Sequence, residues 1–97
     1  MHTYYVTLWA DLTVNPDDFE NHPSFKTIDA DTFTLNEMDG KEIAFDLELT
    51  ASNVEEAKNK AHNVATGVDI FSNVTVRTIA VSDNNGLTRV VWPDLMT

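Results

Sequence analysis

Most of the chemistry available to this sequence belongs to carboxylates, and they gather in two stretches. Residues 32–50, TFTLNEMDGKEIAFDLELT, hold Glu37, Asp39, Glu42, Asp46 and Glu48; residues 15–31 hold Asp17, Asp18, Glu20, Asp29 and Asp31. Clustered carboxylates can ligate a hard cation, share a proton for acid–base catalysis, or present an array of negative charge. The spacing favours the array. Neither Asp29-Ala30-Asp31 nor Asp83-Asn84-Asn85-Gly86 continues into a calcium loop with its terminal glutamate, and His2, His22 and His62 lack the spacing that places two ligands on one helix face. A catalytic carboxylate pair needs a cleft that raises one pKa, and a domain of this size offers little cleft. No Gly-rich phosphate loop or nucleophile elbow is present, and the three glycines suit turns or a helix end. We expect no catalysis, no cofactor and no resident metal.

The acidity is uneven. The chain has 97 residues and a formal net charge of -10. Residues 1–56 hold thirteen of the sixteen acids and two of the six bases, a net -11, whereas residues 57–97 hold three acids and four bases, a net +1. Such a surface repels nucleic acid and anionic lipid and attracts basic proteins. The bases form no cluster that would release counterions from a phosphate backbone, so direct nucleic-acid binding is not expected.

The acids of 32–50 belong to a β-hairpin. In its second arm Ile43, Phe45, Leu47 and Leu49 alternate with Glu42, Asp46 and Glu48, so one face is apolar and the other charged. Asp46 and Glu48, two residues apart, point the same way about 6.7 Å apart along the strand. A three-residue loop, Met38-Asp39-Gly40, would set Leu35 against Ile43, Phe33 against Phe45 and Glu37 against Lys41, with Gly40 left-handed; a two-residue Asp39-Gly40 loop would waste the apolar face.

The remaining elements support this hairpin. From Thr3 to Val14, alternation places Tyr4, Val6, Leu8, Ala10 and Leu12 on one face and Tyr5, Thr7, Trp9 and Asp11 on the other, which predicts a long, central first strand. Tyr5 and Trp9 are expected in the core or at a partner contact, not as a base-stacking platform. Asn15 reads as the N-cap of a short helix opened by Pro16 and broken at His22-Pro23, followed by a loop or turn anchored by Phe25 and Ile28. Ser52-Asn53-Val54-Glu55 reads as a capping box, with Val54, Ala57, Ala61, Val64, Ala65 and Val68 at helical spacing and Gly67 at the end. Strands at 74–81 and 87–92 follow, joined at Asn85-Gly86 so that Val81 faces Val90 and Ile79 faces Trp92.

The expected fold is therefore α+β: a mainly antiparallel sheet with one well-defined helix and one short helix, a split-βαβ (ferredoxin-like) variant with a C-terminal hairpin, in a single domain over 1–97. At 42% hydrophobic residues the chain can bury a modest core. With no cysteine, no apolar run of about 20 residues and no basic region leading into an apolar stretch, it suits the cytoplasm.

In size, lack of cysteine, partial acidity and lack of catalytic motifs, the chain resembles the small phage-encoded anti-CRISPR proteins. It is most similar to the acidic type I-F inhibitors that bind the Cascade surveillance complex as DNA mimics. The resemblance rests on size and charge, so its candidate partner-binding residues are this chain's own acids: Asp17, Asp18, Glu20, Asp29, Asp31, Glu37, Asp39, Glu42, Asp46 and Glu48. It implies a basic nucleic-acid-binding partner, the Cas subunits of the complex, whose target DNA binding would be blocked. Solvated surface acids without such a role are the plain alternative. Two other functions fit the same residues: a homo-oligomeric assembly module pairing through Tyr5 and Trp9, and an acidic immunity protein against a nuclease toxin. The oligomeric state, monomer or homodimer, stays open.

Overall fold

A computed structural model describes residues 1–18, 32–82 and 87–93. Five strands and one helix follow in the order β1 (His2–Leu12), β2 (Thr32–Asp39), β3 (Glu42–Ala51), α1 (Val54–Thr66), β4 (Phe71–Ser82) and β5 (Thr88–Trp92). The fold is α+β. All five strands form one antiparallel sheet in the order β2-β3-β1-β4-β5, and α1 packs on one of its faces.

The first strand is central, as its two-faced pattern predicts. It pairs with β3 from His2–Ala51 to Asp11–Glu42 and with β4 from Thr3–Ser82 to Leu12–Phe71. Because β3 and β4 both run antiparallel to β1, they are parallel to each other across it, and α1 joins them over one face. That face holds the core. Val6, Leu8, Ile43, Phe45, Leu47 and Ile79 are wholly buried under Ala57, Ala61 and Ala65, whose small side chains let the helix lie close on the sheet. Phe45 is the largest of these and stacks between Phe33 (ring centroids 5.0 Å apart) and Phe71 (5.1 Å).

Four register shifts shape the sheet, and each corrects an expectation or adds to one. In the β2–β3 hairpin the loop is Gly40-Lys41, two residues, with Asp39 opposite Glu42 and Met38 opposite Ile43. Asn36 is then extra, so Leu35 meets Phe45 and Phe33 meets Leu47. The expected three-residue loop, and the pairings of Leu35 with Ile43, Phe33 with Phe45 and Glu37 with Lys41, are not formed. A bulge achieves the same end: it shifts the inward parity from Met38 to Leu35 and Phe33, so a tight turn and an apolar face coexist. Gly40 does hold the left-handed conformation, at φ 61°.

On β4 the extra residue is Arg77, between the pairs Thr7–Thr78 and Leu8–Val76, and a second irregularity surrounds Asn73 at φ 53°. Together they carry the inward set through Phe71, Val74, Val76 and Ile79, a sequence that strict alternation would not align. On β5 the extra residue is Val91. Ile79 faces Trp92 as expected, but Val81 faces Arg89, and Val90 lies opposite Ala80 with 54% of its surface exposed. The expected Asn85-Gly86 turn lies outside the described residues.

Local capping also differs by one residue. The N-cap of α1 is Asn53, whose side chain accepts from Glu56 N at 2.8 Å, while Glu56 Oε1 accepts from Ser52 N at 3.4 Å. The Ser52/Glu55 capping box is thus replaced by an Asn53/Glu56 pair, because the amide side chain caps as well as a hydroxyl and starts the helix one position later. Asn15 caps as expected, accepting from Asp17 N at 3.0 Å, and opens the 3₁₀ turn Pro16–Asp18; the expected break at His22-Pro23 lies outside the described residues. The segment around Phe25 and Ile28 lies outside the described residues.

Candidate partner-binding face

The sheet face away from α1 has no element packed on it among the described residues, and the strand register says what it displays. Across β2, β3, β1 and β4, the in-register rows are Asp39–Glu42–Asp11–Ser72, then Glu37–Ala44–Trp9–Thr75, then Thr34–Asp46–Thr7–Thr78, and then Glu48–Tyr5–Ala80 from β3 onward. Paired residues in an antiparallel sheet share a face, so six carboxylates, Asp11, Glu37, Asp39, Glu42, Asp46 and Glu48, lie together. From the first row to the last is six residues of β1, or about 20 Å, and from β2 to β1 about 10 Å.

The two inner acids are fixed by hydroxyls on β1. Thr7 Oγ1 donates to Asp46 Oδ1 at 2.5 Å, and the Tyr5 phenol hydrogen-bonds its cross-strand neighbour Glu48. That bond is the main reason the Tyr5 pKa is raised above its ordinary 10.0: the carboxylate accepts the phenolic proton, and its charge with partial desolvation opposes forming the phenolate. Both acids are half-buried. Glu37, Asp39 and Glu42 are exposed. Asp11 Oδ2 accepts from Asn73 Nδ2 at 2.8 Å, an interaction that the left-handed Asn73 brings within reach.

Trp9 and Arg77 interrupt the acidic array. The bulge turns Arg77 outward, and its guanidinium carbon lies 5.5 Å from the Trp9 ring centroid. Beside them is a shallow hollow of about 180 Å³, whose lining includes Trp9, Asp11, Glu42, Asn73, Thr75 and Arg77. Tyr5 and Trp9 are therefore half-exposed face residues and not core.

Of the ten acids read from the sequence, Glu37, Asp39, Glu42, Asp46 and Glu48 come together on this face. Asp17 and Asp18 are exposed on the 3₁₀ turn after β1, off the sheet. Glu20, Asp29 and Asp31 lie outside the described residues. Asp11 was not among the ten, yet it completes the first row; its signal was its place in the alternation with Tyr5, Thr7 and Trp9. Among the described residues, no three His, Asp or Glu side chains converge to hold a metal ion. No helix of the described residues is long and apolar enough to cross a membrane.

Taken together, sheet and face define an α+β protein covered by a helix on one side and lined with ordered carboxylates on the other. Compared with protein-family models, curated proteins and solved structures, the chain matches none.

Proposed function

We propose that this protein is a non-enzymatic inhibitor that binds a basic nucleic-acid-binding protein through its acidic sheet face and blocks access of DNA. The observation that carries the reading is the density and order of that face: six carboxylates within about 20 Å by 10 Å, two of them fixed by β1 hydroxyls. Over 20 Å of axis B-DNA carries about 12 phosphates, of which one side of the duplex presents about half. The charge count therefore matches what a phosphate-binding groove is built to accept, and arginines of such a groove can pair with carboxylates bidentately. By its resemblance to the type I-F anti-CRISPR proteins, the suspected partner is the Cas subunits of a surveillance complex in the cytoplasm of a host bacterium. An immunity protein against a basic nuclease toxin would use the same face and differs only in partner.

The fold reading that accompanies this proposal is a split-βαβ, ferredoxin-like variant. Its support is the parallel pair β3 and β4, split by β1 and joined by α1; β5, paired antiparallel beyond β4, departs from a four-stranded ferredoxin-like sheet. The competing function, a homo-oligomer sealed through Tyr5 and Trp9, is opposed by charge: a two-fold contact would set six carboxylates and one arginine against their own copies.

The test is binding to purified DNA-binding effectors, the type I-F surveillance complex first, at rising ionic strength and in competition with duplex DNA. Affinity should fall steeply with salt. Reversing the exposed pair, Glu37→Lys with Glu42→Lys, should abolish it without touching the core, as should Asp46→Lys with Glu48→Lys. Asp17→Lys with Asp18→Lys, off the face, should cost less. Wild-type inhibition by both face variants would refute the proposal.

A further inference from the structure

The second feature of this molecule lies on the opposite side of the sheet and has opposite polarity. A single helix over five strands leaves part of the inner face open where β5 extends past the start of α1. There the structure holds a cleft of about 490 Å³, whose lining includes His2, Tyr4, Val54, Val81, Arg89 and Val91. That volume falls in the range of small-molecule sites. None of the described residues lining the cleft is a carboxylate, and the ionisable side chains among them are Tyr4, His2 and Arg89.

Arg89 is there because of the β5 bulge, which places it opposite Val81 on the helix side and sends Val90 outward. Its guanidinium forms no ion pair with a described residue, whereas Arg77 lies over Trp9, Lys58 over Trp92, and Lys60 donates to Thr50 O. Tyr4, Val54, Val81 and Val91 supply apolar walls, with the His2 and Tyr4 rings edge to face at 6.3 Å. The combination selects for one chemistry: an apolar body short enough to lie between β5 and α1, ending in a single negative charge that the Arg89 fork can take.

We infer that this cleft binds a small organic carboxylate with an aliphatic or aromatic body, anchored by Arg89. The site is independent of the acidic face, which lies on the other side of the sheet.

The test uses phenylacetate as the anionic probe and phenylacetamide as its neutral counterpart, titrated into the full-length protein and followed by amide chemical shifts. Phenylacetate should move the amides of Val54, Ser82 and Arg89 saturably, and both Arg89→Gln and the amide probe should weaken binding about tenfold or more, the worth of a charge-assisted bond. Val81→Phe, which fills the cleft and keeps Arg89, should also block it. Unchanged spectra elsewhere show that the variants fold. Absence of saturable shifts at about 10 mM phenylacetate, a concentration that reports even weak sites, would overturn the inference. Equal binding by Arg89→Gln or by phenylacetamide would do the same.

Discussion

Replacing Phe45 with alanine removes the ring at the centre of the core, and the structure permits a magnitude. Phe45 is wholly buried and lies between Phe33 and Phe71, with interplanar angles of 25° and 26°. Truncating a buried phenylalanine costs about 3–5 kcal/mol, and each lost aromatic pair adds about 0.5–1.5 kcal/mol beyond its buried area. Because these contributions overlap, a loss of about 4–6 kcal/mol is expected. A domain of this length has a total stability of about 5–15 kcal/mol, so Phe45→Ala should bring it near or below the folding threshold. Phe45→Leu keeps most of the volume and loses only the stacking, about 1–2 kcal/mol. Equilibrium urea unfolding, followed by the fluorescence of Trp9 and Trp92, reads both. With a urea slope of about 1–3 kcal/mol/M, the alanine variant's midpoint should drop by roughly 1–6 M. The functional consequence is specific: Phe33 anchors β2 through this ring, so loss of Phe45 also loosens the strand that carries Glu37 and Asp39. A cost below about 1.5 kcal/mol for Phe45→Ala, or equal costs for both variants, would refute the claim that this stack organises the hairpin.

Two further predictions test local chemistry. Asn53→Ala should cost about 1 kcal/mol, a fall in Tm of roughly 4–8 °C, while Ser52→Ala should stay within about 0.5 kcal/mol; thermal melts of both separate the observed cap from the one a Ser-x-x-Glu motif suggests. Tyr5 should ionise above its ordinary 10.0, and Glu48→Gln should bring its phenolate absorbance transition back down. Since the folded-state value is raised, the stabilisation is fully present below pH 10 and is lost as pH rises through the folded-state pKa. Alkaline unfolding curves should show that loss in the wild type and less of it in Glu48→Gln; identical curves would remove the Tyr5–Glu48 bond from the account of the face.

Residues 43–49 illustrate what was legible. Their alternation named the buried set, Ile43, Phe45, Leu47 and Leu49, and the outward acids, and both follow from the two-residue period of any strand with one covered face. The helix was legible for the same kind of reason: Ala57, Ala61 and Ala65 at spacings of four can bury only against one partner. The site was half legible. Charge counting collected ten acids, but it could not tell that Asp11 joins them through its pairing with Glu42, or that Asp17 and Asp18 sit apart on a 3₁₀ turn. Arg89 was hidden more deeply, since the expected hairpin register turned Val90 inward instead.

By itself, then, the amino-acid sequence determined the α+β class, the central first strand, the apolar stripe of α1 and the two-sided character of β3, because each depends on side-chain periodicity within one segment. Tertiary structure alone decided the bulges at Asn36, Arg77 and Val91, and with them the faces on which Glu37, Arg77 and Arg89 stand. A bulge shifts alternation by one residue at a cost that only the neighbouring strand can offset, by keeping both apolar rows on the core. That balance is struck between strands distant in sequence, so it forms only when the sheet does.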